Sequence, residues 1–219
     1  MGIATSVIAA NAAAARAKLG LPAKGRLILC TGSLGADQPL ELLLQAAPLV
    51  MDAAKVVHFV VLGDGPQRSR VESETRRRSL DASIIFTGPV TRDDLDFYAQ
   101  ACDIGLFMTR SVGSSIRDFS VNDLFPFLAA GRPVVVASDN ADAVCFVQVN
   151  NVGLASRLTG DGVADVAALA KHLTFLVLDD KARIRRGENA RELGRQLHRT
   201  SQGGILDVVR ATLRRAASL

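Results

Sequence analysis

Glycine-rich turns with polar side chains recur along this sequence, and their residue types suit the binding of a phosphate. Residues Thr31 to Gly35 and Gly63 to Pro66 each follow a short apolar run. Glycine lets the backbone approach a phosphate closely, and the N-terminus of a following helix offers free N–H donors. These turns predict either a phosphate-binding edge or tight strand-to-helix connections alone, since the GxGxxG dinucleotide fingerprint is absent.

Polar positions after the second, third and fourth apolar runs are further candidates. Asp64 is placed to accept from a ribose hydroxyl or to cap the helix that follows. Residues Phe86 to Val90 end the third run, and residues Thr109 to Ser115 follow the fourth. This fourth loop is longer than ordinary α/β connections, so it is either a ligand-binding loop or a flexible connection.

Residue sets that are typical of other chemistries are missing. His58, His172 and His198 lie far apart in the pattern and have no metal-ligand spacing to a cysteine. The Gly-x-Ser-x-Gly motif and the Walker lysine loop are also absent. The sequence therefore predicts no metal and no cofactor, and it disfavours hydrolases, nucleoside triphosphatases and nicotinamide enzymes.

Hydrophobic periodicity predicts the elements that must position these loops. Apolar runs without polar alternation are typical of strands that are buried on both faces of a parallel sheet. The predicted strands are Arg26 to Thr31, Val57 to Leu62, Ser83 to Thr87, Asp103 to Met108, Pro133 to Ala137 and a weaker one near Gly153. Helical patterns lie between them, so we predict a doubly wound, Rossmann-like α/β fold that binds ligands beyond the carboxyl ends of its strands.

Helix signals and chain segments complete the predicted organisation. Thr91 to Asp94 has the form of a capping box, and Gly131 is expected to end a helix that begins near Phe125, because Pro126 is tolerated only in a first turn. We predict an N-terminal helix and linker over residues 1–25, a Rossmann-like domain over residues 26–179, and closing helices of the same domain over residues 180–219.

Composition limits the compartment and the partners. The chain has 219 residues, is 48% hydrophobic and carries only three cysteines, so we expect a compact core in the cytoplasm without disulfides. The net charge of +4 suits an anionic partner. A basic amphipathic stripe after Ile205 either packs on the domain or contacts the inner face of the membrane. One tyrosine, no tryptophan and no reader motif argue against nucleic acid.

Six motifs in order resemble a known family. They are Arg16 to Pro22, Thr31 to Leu34 with Leu40 to Ala46, Val61 to Pro66, Ile85 to Val90, Tyr98 to Asp103, and Phe127 to Val135. Together they cover roughly residues 15–200, and they resemble the C-terminal, donor-binding half of the group 1 (family 4) glycosyltransferases of GT-B architecture. The six motifs in this order support the expected fold more strongly than any one of them does.

The resemblance implies a nucleotide-diphosphate sugar held between two Rossmann-like domains and transferred with retention of configuration. It places the base near Gly88 and Val90, and the phosphates at the helix after the fourth strand. No catalytic residue is assigned. The substrate-binding residues it implies, together with those of the polar loops, are Gly32, Ser33, Gln38, Gly63, Asp64, Gly88, Val90, Ser114, Ser115, Asp118, Ser120 and Asn122.

Departures from the family pattern point to a degraded site. Ser33 and Gln38 stand where the family has its diphosphate-binding cations, and Pro126 and Cys145 stand where it has glutamates; Asp118 keeps an acid. We therefore expect a donor-binding domain whose binding of nucleotide-diphosphate sugars is weak or lost. We expect it to be a fragment or one half of a split enzyme, completed by an N-terminal domain or a partner glycosyltransferase subunit. The alternative is an inactive pseudo-glycosyltransferase that serves as an interaction module.

Overall fold

Six strands and eight helices form the part of the chain that the computed structural model describes, residues 12–54, 56–112 and 119–199. The strands are β1 (Arg26–Thr31), β2 (Val57–Leu62), β3 (Ile84–Gly88), β4 (Ile104–Thr109), β5 (Val134–Ser138) and β6 (Gly153–Arg157). The helices are α1 (residues 12–18), α2 (Leu40–Ala53), α3 (Arg68–Arg77), α4 (Arg92–Ala101), α5 (Phe125–Ala130), α6 (Ala141–Val149), α7 (Gly162–Leu178) and α8 (Asp180–Arg199). A 3₁₀ turn at Val121–Asp123 precedes α5.

The strands form one parallel sheet in the order β3-β2-β1-β4-β5-β6. From β1 to β3, each new strand is added toward one edge of the sheet, and from β4 to β6 toward the opposite edge. The direction of the strand order therefore reverses between β1 and β4. Such a reversal leaves a crevice beyond the carboxyl ends of the two central strands. The predicted doubly wound α/β fold is confirmed, and the strand bounds agree to about one residue except at the weaker sixth strand.

Two apolar layers cover the two faces of the sheet. Helices α2, α3 and α7 pack on one face around residues such as Phe59 and Leu173. Helices α1, α4, α5, α6 and α8 pack on the other face around residues such as Phe127 and Phe146. Both faces of the central strands are therefore buried, and every residue of β4 and β5 is buried, which is why their sequences show no polar alternation.

Local signals set the ends of the helices as the sequence predicts. The Thr91 hydroxyl accepts from Asp94 N at 3.1 Å and completes a capping box at α4. Gly131 ends α5 with a left-handed φ of 67°, which glycine adopts at little cost. Pro126 lies in the first turn of α5, where its missing N–H breaks no helical hydrogen bond.

Helix α8 closes the domain by packing against α5. Gly187 and Gly194 face the backbone of α5 and its C-terminal turn so closely that a Cβ would lie 2.6 Å from Gly131 O and 2.8 Å from Leu128 O. The predicted closing helices beyond residue 199, with the amphipathic stripe after Ile205, lie outside the described residues. None of the helices within the described ranges combines the length and the apolar character that a membrane crossing needs.

Native thiol labelling is expected to be confined to Cys145. Burial raises the pKa of Cys30 and of Cys102 to about 12, so neither forms appreciable thiolate at pH 8. Cys145 is half-buried on α6, and its pKa is raised less far, by desolvation and then by Asp142. Iodoacetamide at pH 8, read by mass spectrometry, should add at most one group to the folded chain and three in guanidinium. Rapid labelling of Cys30 or Cys102 in the folded chain would contradict this core.

Candidate functional site

The loop from β1 to α2 is held in shape by the side chain of Gln38. Gln38 is only 2% exposed. Its Oε1 accepts from Leu34 N at 3.0 Å, and its Nε2 donates to Thr31 O at 3.1 Å. These bonds fold the loop back on itself and pair two of its backbone groups, next to Leu34 with its left-handed φ of 44°.

The loop from β2 to α3 packs its glycines directly against the first loop. Gly63 has a φ of 117°, and a Cβ there would collide with Gly32 O. A Cβ on Gly65 would collide in the same way with Ser33 O. The glycines of the second predicted ligand loop therefore serve a close approach of backbone to backbone in this structure.

The third loop joins the second through Gly88. Gly63 N donates to Gly88 O at 3.0 Å, and Gly88 has a φ of 82°. Asp64 accepts from Gly65 N at 2.8 Å and lies 3.8 Å from the Arg68 guanidinium. The N-cap of α3 is Gln67, without a side-chain cap, so the helix-capping interpretation of Asp64 is wrong; its contact with a ribose stays a prediction.

The loop after β4 supplies the opposite wall of the crevice. Ser120 caps the 3₁₀ turn because its Oγ accepts from Asn122 N at 3.3 Å. The Asn122 side chain is exposed and lines the cavity. The predicted residues Ser114, Ser115 and Asp118 lie outside the described residues.

A cavity of about 160 Å³ opens at the crevice between the ends of β1 and β4. It brings together four of the predicted substrate-binding residues: Gly32, Ser33, Gln38 and Asn122. Gly63, Asp64, Gly88, Val90 and Ser120 lie in the adjoining loops and do not line this cavity. All twelve assignments to a substrate remain predictions.

Several residues that line the cavity were not predicted from the sequence. They are Leu95, Phe107, Met108 and Asp123; Thr31, which also lines the cavity, opens the first predicted turn. Thr31, Phe107 and Met108 lie at the carboxyl ends of the two central strands, so the strand order alone would have indicated them. Leu95 comes from a neighbouring helix, and no local pattern marks it.

The electrostatics of the cavity differ from those of a site built to neutralise a diphosphate. The described residues that line it include no arginine or lysine, and Asp123 is their acidic member. Ser33 is exposed and its hydroxyl donates to Asp37 at 3.2 Å. Pro126 is buried in α5 and Cys145 is half-buried in α6. The cavity offers backbone groups, hydroxyls and an amide, which suit hydrogen bonding to a polar ligand.

The described residues contain no cluster of side chains that could bind a metal ion. No group of three or more histidine, cysteine, aspartate or glutamate side chains within residues 12–54, 56–112 and 119–199 could hold an ion. His58 and His172 each have a pKa lowered by burial. These two histidines belong to separate elements, β2 and α7, as their positions in the pattern predict.

Residues 25–179 match the family described as "Glycosyl transferases group 1". The 2-deoxystreptamine glucosyltransferase of Streptomyces kanamyceticus is 29% identical over 168 residues, which are 76% of this chain and 40% of that protein. The alpha-monoglucosyldiacylglycerol synthase of Streptococcus pneumoniae is 24% identical over 55% of this chain and 26% of that protein. The chain thus spans less than half the length of these curated relatives.

Solved structures share the fold at low sequence identity. Anabaena HepE in complex with UDP and glucose has a TM-score of 0.70 and 17% identity, over 96% of this chain and 52% of that chain. The C-terminal domain of a group 1 glycosyltransferase family protein (LpcC) from Francisella tularensis has a TM-score of 0.65 and 16% identity. That match covers 85% of this chain and 92% of the LpcC domain, so the described fold corresponds to one domain of such proteins.

Proposed function

Because the chain belongs to the group 1 glycosyltransferases, we propose that it binds a nucleotide-diphosphate sugar as the donor side of a retaining glycosyl transfer. The observation that carries the proposal is the polar cavity at the reversal of strand order, where Rossmann-like sheets bind nucleotides. Structural neighbours described as complexes with UDP and with UDP-glucose support this ligand class.

In this proposal each loop at the carboxyl edge of the sheet contacts a different part of the donor. The backbone of Gly32 borders the diphosphate, and the Asn122 amide donates a hydrogen bond to its oxygens. The Ser33 hydroxyl turns from Asp37 to do the same. Asp64 accepts from the ribose, and the base lies by Gly88 and Val90. Each contact uses a group at the edge of the sheet where the crevice opens.

Transfer itself requires a second wall that carries the acceptor. We propose that another domain of a longer polypeptide, or a partner glycosyltransferase subunit, supplies this wall above the carboxyl edge. Residues 26–179 would then form the donor-binding domain, with residues 1–25 leading into it and residues 180–219 closing it. Residues 1–219 alone would bind donor without transferring sugar.

A second candidate function is favoured by the missing cations of the cavity. A developing diphosphate needs positive charge or aligned donors, and one such group contributes about 2.7 to 4 kcal/mol to the transition state. Ser33 and Gln38 supply no charge, and the Gln38 amide is already bonded within its loop. The alternative is therefore a pseudo-glycosyltransferase that binds a protein partner and catalyses nothing.

Calorimetric titration with UDP, GDP and UDP-glucose distinguishes the two functions. We expect saturable binding of at least one of these ligands, weakened at least about tenfold in Asn122→Ala, because one hydrogen bond to a charged oxygen contributes about 1.5 to 3 kcal/mol.

The matched control is Asn189→Ala, which removes an amide that bonds to Asn151 O far from the crevice. It should bind the nucleotide as the unmodified chain does. No heat of binding at millimolar ligand would contradict the donor function and favour the pseudo-glycosyltransferase.

A further inference from the structure

A second cavity, of about 570 Å³, lies between α4 and α8 and is bordered by four arginines: Arg132, Arg191, Arg195 and Arg199. We call this cavity the arginine groove. We propose that the arginine groove binds a phosphoryl group that is attached to an apolar substituent. It shares no lining residue with the cavity at the crevice, so this inference does not depend on the proposed donor function.

The helical spacing aligns the arginines along one side of the groove. Arg191, Arg195 and Arg199 are separated by four residues each, so they lie on consecutive turns of one face of α8. Arg132 follows the C-terminal turn of α5 and joins them at the buried end, where it is 8% exposed. All four arginines therefore border one cavity.

Two buried guanidinium N–H groups remain unpaired in the described structure. Arg132 uses one terminal nitrogen to donate to Gln100 O at 2.5 Å, and Arg191 uses one to donate to Ala130 O at 3.1 Å. The Nε atoms of Arg132 and Arg191 are buried without a hydrogen-bond partner. Buried polar groups are normally satisfied, so these two guanidiniums retain donor capacity that the described residues do not use.

Acidic side chains in the described part of the chain do not balance this charge. Asp96 is the carboxylate that lines the groove, and Glu192 reaches Arg195 at 3.5 Å on the exposed side of the helix. Burial, then Arg132 and Arg195, lowers the pKa of Arg191. The arginines repel one another, and a bound anion would relieve that repulsion.

The charge and shape of the groove favour a phosphoryl ligand over a carboxylate. A phosphate monoester brings up to two charges and three acceptor oxygens, and the planar guanidinium fork binds it through paired hydrogen bonds. A carboxylate brings one charge against four arginines. Phe125, Pro126, Ala129 and Ala130 form an apolar wall beside the arginines, which would cover an organic substituent on the phosphate.

Phenyl phosphate tests the groove, with benzoate as the ligand that changes only the anion. Calorimetry on residues 1–219 should show saturable binding of phenyl phosphate and at least tenfold weaker binding of benzoate. The double variant Arg195→Gln/Arg199→Gln should weaken phenyl phosphate at least tenfold. Both side chains are exposed, so thermal unfolding should show the fold intact.

A charge-matched control uses Arg76→Gln/Arg185→Gln, two exposed arginines away from the groove. This control should bind phenyl phosphate like the unmodified chain. Absence of binding by the unmodified chain, equal loss in both double variants, or equal binding of benzoate would overturn the proposal.

Vesicles then identify the source of the phosphoryl group. Sedimentation with phosphatidylcholine vesicles that contain phosphatidic acid, lost in Arg195→Gln/Arg199→Gln and kept in the control, would assign the groove to a lipid headgroup. Binding of phenyl phosphate without retention on these vesicles would assign it to a soluble phosphate ester. Either result supports a phosphoryl site.

Discussion

Asp103→Ala is expected to lower the free energy of unfolding by about 3 to 5 kcal/mol, the range for removing one partner of a buried ion pair. Asp103 Oδ2 accepts from the Arg16 guanidinium at 2.7 Å and from Leu27 N at 2.8 Å. Arg16 is 7% exposed. Its charge would stay buried without a counter-ion in the variant, and Leu27 N–H would lose its acceptor. Urea unfolding followed by circular dichroism measures the loss.

Two comparisons separate this ion pair from a general effect of removing a carboxylate. Asp103→Asn keeps an oxygen for Leu27 N–H but removes the charge, so its loss should be smaller than that of Asp103→Ala. Glu192→Ala breaks an ion pair whose side chains are both 60% exposed, and it should cost less than about 1 kcal/mol. Equal losses in Asp103→Ala and Glu192→Ala would show that Arg16 finds another partner or reaches water.

The ion pair between Arg16 and Asp103 links two of the motifs that carry the resemblance to the family. Arg16 belongs to the first motif and Asp103 ends the fifth, and their ion pair ties α1 to the junction of α4 and β4. Arg16 also donates to Ala101 O at 2.8 Å and to Gly25 O at 3.1 Å. These motif residues hold the fold together, so the same resemblance identifies the fold more firmly than the activity.

Elements whose information is local could be predicted closely from the sequence. Strands β1, β2 and β4 are uninterrupted apolar runs because both faces of the sheet are covered, and their predicted bounds hold to about one residue. The capping box at Thr91 and the left-handed Gly131 are likewise specified by residues within one turn of the helix. Alternation of such strands with helices then leaves few topologies besides the doubly wound sheet.

Features that depend on distant contacts could not be predicted in the same way. Gln38 is a polar residue in a predicted ligand loop, and nothing local shows that its amide turns inward to Leu34 and Thr31. The glycines of the second loop likewise match the backbone of the first loop, about thirty residues earlier in the chain. The arginine groove also forms only when α8 packs over α5.

Gln38→Lys, the substitution that returns the family's second cation, is expected to destabilise the domain by about 3 kcal/mol instead of restoring donor binding. A lysine ammonium donates but cannot accept, so Leu34 N–H would lose its acceptor, and an unsatisfied buried group costs about 1 to 3 kcal/mol. The new charge would also lie in the buried position of Gln38, beside Cys30. Thermal unfolding and UDP titration of the same sample measure both effects.

Ser33→Arg is the matched cation substitution on the solvent side of the same loop, and it should behave in the opposite way. Ser33 is exposed and bonds only with the nearby Asp37 within the described structure, so stability should change by less than about 0.5 kcal/mol. A guanidinium at the mouth of the cavity should strengthen UDP binding about tenfold through a charged hydrogen bond. If Gln38→Lys were as stable as Ser33→Arg and bound UDP equally well, the loop would open to place the lysine in the crevice. The buried amide would then be one state of a loop that rearranges for its ligand. In that case the buried Gln38 would not mark the loss of a donor site.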